Sequence, residues 1–166
     1  MSRAVVLRTV IACLALVGCA RGTIDGPISV PPTGLDAIAM VPYARRYAAI
    51  VAPVDAATDT FASASRSLAT GASVDDFILT VRPLALAVDD VDNKVRQVAW
   101  PPAAVRDINA QLDADKSLKT DLVGTLDVTL ILSLWRDQIL GAARQASRAR
   151  QKVRIDLGLA PLGRGN

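Results

Sequence analysis

Apolar residues recur along this chain at alternating steps of four and three, the repeat of a helix that buries one stripe. Tyr43, Tyr47, Ile50, Val54, Ala57, Phe61, Ala64 and Leu68 form one such series, and Phe77, Val81, Leu84, Val88, Val91, Val95 and Val98 a second. A last series, beginning at about Asp121, carries Val128, Leu132, Trp135, Ile139, Ala142 and Ala146, and Val153 resumes it. Between Pro102 and Val123 a weaker segment holds Val105, Ile108, Leu112, Leu118 and Leu122, set off from the last only by the mild breaker Gly124. No segment sustains alternation of period two. The pattern predicts an all-α fold, an up-down four-helix bundle over residues 35–159 with a tail at 160–166.

The breaks agree with this division. Thr70-Gly71 ends the first segment, and Ser73 with Asp76 resembles an N-terminal capping box with a shortened acid. Trp100-Pro101-Pro102 ends the second, because a residue before proline avoids helical geometry while proline suits a first helical turn. Pro53 and Pro83 fall inside helical patterns, where each removes a backbone hydrogen bond and is expected to kink or break its helix.

The first 18 residues read differently. Arg3 and Arg8 precede a short apolar run containing Val10, Ile11, Leu14, Leu16 and Val17, about ten residues where a bilayer span needs roughly 20. This is the layout of a signal peptide. The run closes on Leu16-Val17-Gly18-Cys19, which resembles the lipobox of bacterial lipoproteins. That resemblance implies cleavage before Cys19 and a diacylglyceryl group on its sulfur. It also implies a location on the extracytoplasmic face of the cell membrane, since two acyl chains suffice for stable anchoring. Residues 19–34, rich in Gly and Pro, read as a tether able to reach roughly 50 Å when drawn out.

Composition narrows the chemistry. The 166 residues are 51% hydrophobic and 4% aromatic, which excludes a disordered chain and suits one domain. Every acidic residue is Asp, and histidine is absent. If the leader is removed, Cys13 leaves with it and Cys19 is blocked, so no thiol remains for a disulfide, a metal or a nucleophile. Seventeen positive side chains then face 16 negative ones, and the basic sequence pI of 9.2 gives no case for nucleic acid as a partner.

No catalytic group stands out. Without histidine there is no Ser-His or Cys-His arrangement and no side chain that titrates near neutrality unaided. Ser117 with Lys116 or Lys119 lies in a polar helical stretch with no nucleophile turn. Asp89, Asp90 and Asp92 read as a solvated helix face, since positions so close in sequence do not converge on one cation. Asp113 with Asp115 is weaker still. No cofactor, metal or catalytic residue is assigned; the one modification site is Cys19.

An up-down bundle also sorts charge. Arg45, Arg46, Lys94, Arg96, Arg106, Arg144, Arg148, Arg150, Lys152 and Arg154 fall at the pole where the tether joins, and Asp59, Asp75, Asp76, Asp121 and Asp127 at the other. The basic pole fits an anionic leaflet, but Asp36, Asp92 and Asp107 dilute it, which favours the simpler reading of cations that complement the last helix's dipole and keep the surface soluble. Trp135 reads as core, Trp100 as a plug at one end, and Tyr43 and Tyr47 as core.

The body is similar to a group of uncharacterised actinobacterial lipoproteins with a small helical ectodomain. Tyr47 to Val54 with Ala57, Val98-Ala99-Trp100-Pro101, and Val153-Arg154-Ile155-Asp156-Leu157-Gly158-Leu159 carry the likeness. It implies the architecture and transfers no ligand residue. The expected function is a lipid-anchored, non-catalytic envelope protein that binds another protein or an envelope polymer. The alternative is a carrier or sensor of a hydrophobic small molecule held between the helices.

Overall fold

The computed structural model describes residues 35–71, 73–126 and 132–162, and leaves out the side chains at 35, 124–126 and 132–135. Cys19, the expected leader and the tether lie outside the described residues, as do the side chains of Val128, Leu132 and Trp135. Four helices follow in order: α1 Leu35–Ala69, α2 Val74–Arg96, α3 Pro102–Leu126 and α4 Leu132–Asp156. Each packs on its neighbour in sequence, and α1 meets α4 to close the ring. The fold is an all-α up-down bundle, as the periodicity requires.

The α2 stripe is buried as its spacing predicts: Phe77, Val81, Leu84, Val88, Val91 and Val95 all face the interior. On α1, Tyr47, Ile50, Val54 and Phe61 are buried while Tyr43, Ala57, Ala64 and Leu68 pack at the margin. The phenyl rings of Phe61 and Phe77 meet at 5.2 Å between centroids, joining the two helices near their turn. Pro53 and Pro83 neither break nor end their helices; both occupy exposed positions, where water can serve the carbonyl that each proline leaves without a donor.

Two other expectations are corrected. The last helix does not begin near Asp121: α3 runs through Gly124 to Leu126, and α4 starts at Leu132. A single glycine costs a helix only about 1 kcal/mol against alanine, too little to end it. Val105 is not core; it is 41% exposed, and Ala104 takes the buried position beside it.

The caps are chemically specific. Gly71 adopts φ +98° just past α1, donating its N–H to the Leu68 carbonyl. The Ser73 hydroxyl accepts from the Asp75 N–H to start α2. At the far end of the chain Gly158, at φ +76°, donates to Ile155, and Leu159 donates to Arg154. This pair of bonds is a Schellman motif. Gly71→Ala is expected to destabilise by about 1 kcal/mol, because the left-handed conformation strains any Cβ. Gly141, exposed inside α4 with open space where a Cβ would sit, should instead stabilise when changed to Ala, by roughly 0.5–1 kcal/mol. Thermal unfolding of the two variants checks both signs at once.

Candidate functional site

The interior of this bundle is not wholly apolar. α4's buried stripe runs Ile139, Ala143, Ala146, Arg150 and Val153, continued by Leu157 just past its end, so Arg150 stands where an apolar residue would ordinarily pack. It is 1% exposed and therefore does not belong to the basic pole, contrary to the charge map read from the sequence. Its guanidinium meets three partners. Nη1 donates to Asp115 Oδ1 at 2.7 Å on α3, and Nη2 donates to the Thr58 hydroxyl at 3.3 Å on α1. Nε lies 3.2 Å from Asp55 Oδ1, an ion pair without an aligned hydrogen bond.

The network continues across the bundle. Gln111 Nε2 donates to Asp115 Oδ2 at 3.2 Å, and the Tyr47 hydroxyl donates to Gln111 Oε1 at 2.6 Å. Tyr47 also lies 3.3 Å from the Arg150 backbone carbonyl. Thr58 passes its own proton to the Val54 carbonyl at 2.7 Å. Tyr47, Asp55 and Thr58 on α1, Gln111 and Asp115 on α3, and Arg150 on α4 thus form one hydrogen-bonded, ion-paired unit.

α2 contributes Asp92, which the sequence placed on a solvated face with Asp89 and Asp90. The structure separates the three. Asp89 pairs with Lys119 on α3, and Asp90 with Lys94 one turn along α2 at 2.6 Å. Asp92 is half-buried, with its Oδ1 fully buried and without a hydrogen-bond partner. Burial, then the Asp115 carboxylate, push its pKa up to about 6.

Burial also raises the carboxyls of Asp55 and Asp115 above the ordinary range, with Arg150 opposing it in both. The Tyr47 hydroxyl is raised by burial and stays protonated, a donor at every physiological pH. Two carboxyls, Asp55 and Asp115, thus share the Arg150 guanidinium, while Asp92 has no such partner. Among the described residues no group of three ligand side chains is placed to hold a metal ion. Ser117 donates to the Asp113 carbonyl, so its hydroxyl is engaged with its own helix and Lys119 is engaged with Asp89.

Two open clefts mark the surface. One, about 470 Å³, lies between α1 and α2 near their turn and is lined by Thr60, Ser63, Ala64, Ser67, Ser73, Asp76 and Phe77. The other, about 280 Å³, lies at the α2–α3 corner among Val95, Val98, Trp100, Val105 and Leu112. Trp100 closes that corner: its indole N–H donates to the Val95 carbonyl at 2.8 Å and its rings meet Tyr43 and Tyr47.

The outer face of α2 is the remaining feature. Leu79 is 71% exposed and Leu86 60%, with exposed Pro83 between them at helical spacing. The three make an apolar ridge on the side opposite the core.

Family models, curated proteins and solved structures were compared with the chain and none matches. The buried network escaped the sequence reading because only apolar residues were counted as core. The available signal was that Arg150 falls in step between Ala146 and Val153.

Proposed function

We propose that this is a lipid-anchored cell-envelope protein whose helical bundle is a non-catalytic binding module for an envelope partner. The Leu79–Pro83–Leu86 ridge carries the binding part of this reading. Exposing two leucines on a helix whose other face is fully satisfied costs solubility, and covering them by a partner recovers roughly 25 cal/mol for each Å² of apolar surface removed from water. The interior, where a carrier would hold its cargo, is occupied by Tyr47, Phe61, Phe77, Leu84, Leu118 and Arg150, all fully buried or nearly so. That filling weighs for recognition at the surface over transport of a hydrophobic molecule.

The anchor rests on the Leu16-Val17-Gly18-Cys19 tetrapeptide and the charged, apolar segment before it. No helix among the described residues is long and apolar enough to cross a membrane.

A photo-crosslinking residue placed at position 79 or 86 in living cells should give a discrete adduct that the same residue at exposed position 59 on α1 does not. The adduct should fade when Cys19→Ala releases the chain from the membrane. Equal labelling at 59 and 79 would remove the ridge from consideration. A Cys19→Ala chain that remained lipid-labelled and membrane-bound would overturn the anchor separately.

A further inference from the structure

We propose that α2 is held against α3 by a proton-operated contact at Asp92: when its carboxyl is protonated the seam closes, and when it is ionised a second negative charge faces Asp115 in the interior and the seam loosens. The geometry carries this independently of what the α2 ridge binds. Asp92 Oδ1 is fully buried with no hydrogen-bond partner, and the desolvation of a charged carboxylate so placed is offset only in part by Arg96 and Lys119.

The surrounding charges do not cancel it. From α2 itself Arg96 and Asp89 act with opposite signs, and from α3 Lys119 is already paired with Asp89 while Asp115 repels. Arg150 on α4, the one interior cation of the network, is shared between Asp115 and Asp55 on α1. Tyr47 on α1 stays neutral. Protonating Asp92 is therefore the least costly way to balance the interior.

The sign follows from linkage. The folded carboxyl titrates near 6, above the ordinary value of about 3.9. The folded state then binds the proton more tightly than the unfolded state, and stability rises as pH falls through 6 towards 4. Between pH 7.5 and pH 5 the expected gain is several-fold, up to about tenfold, in the closed-to-open ratio.

The test is hydrogen exchange on the full chain at pH 7.5 and pH 5, corrected for intrinsic rates. In the wild type, amides of residues 84–96 and 111–122 should gain protection by up to about tenfold at pH 5. Asp92→Asn should be better protected than the wild type at pH 7.5 and nearly equal to it at pH 5. A wild type whose protection ignores pH, or an Asn variant indistinguishable from it at pH 7.5, overturns the proposal. Carboxyl-carbon NMR titration of the unmodified protein gives a readout that needs no variant: Asp92 should titrate near pH 6, and a midpoint below 5 overturns the proposal too.

Discussion

Arg150→Met is expected to cost about 3–5 kcal/mol, the effect of leaving a buried carboxylate without its counter-charge. Asp115, 1% exposed, would keep only Gln111 as a donor among its contacts described above, and Asp55 would turn to solvent and to nearby Arg154. Methionine retains much of the volume, so cavity formation contributes little. Urea unfolding followed by helical circular dichroism measures the loss. Adding Asp115→Leu should restore a large part of it, because a buried ion pair replaced by apolar side chains is often neutral in stability. A double variant as unstable as the single one would trace the loss to packing, and a single variant within 1 kcal/mol of wild type would show that the network is not what holds α4.

Phe77→Ala should cost about 3–5 kcal/mol, through lost transfer energy and the cavity left beside Phe61. Two residues on, Leu79→Ala should change stability by less than about 0.5 kcal/mol, since that side chain is already in water. The contrast separates folding from recognition on one helix: the same Leu79 substitution should weaken crosslinking at position 86 while leaving the unfolding curve in place. If Leu79→Ala destabilised the domain as Phe77→Ala does, the ridge would be structural and not a docking surface.

The apolar stripe and the ends of α2 were readable because its fully buried side chains are all apolar and its end signals, Ser73 and Trp100-Pro101, are chemically distinct, whereas the inward lean of Asp92 was not. α3 was readable only in part. Asp107, Gln111 and Asp115 are buried there among Ala104, Ile108, Leu112, Ala114, Leu118 and Leu122, so a third of the inward face looks like surface to any test of hydrophobicity. The boundary with α4 failed for the related reason that apolar periodicity passes through Gly124 without a change of phase. Arg150 and Asp115 are compatible with burial only as a pair, and pairing across 35 residues leaves no local trace in the chain.

The four described helices bring the end of α4 back to the end of the bundle where α1 begins. The start of α1 and the end of α4 share that end, and the Thr70–Ser73 turn sits at the other. At about 1.5 Å per residue the 35 residues of α1 rise roughly 50 Å, against about 35 Å for the 23 residues of α2. Leu79 stands only about a turn and a half from the distal tip. For a head tethered at its lower end, this sets a standoff: the ridge is displayed on the order of 40 Å above the first turn of α1. If the proposed anchor holds, a partner recognising the ridge would meet it at arm's length from the lower end of the bundle, and shortening α1 by whole turns would lower that meeting plane without altering the surface that is met.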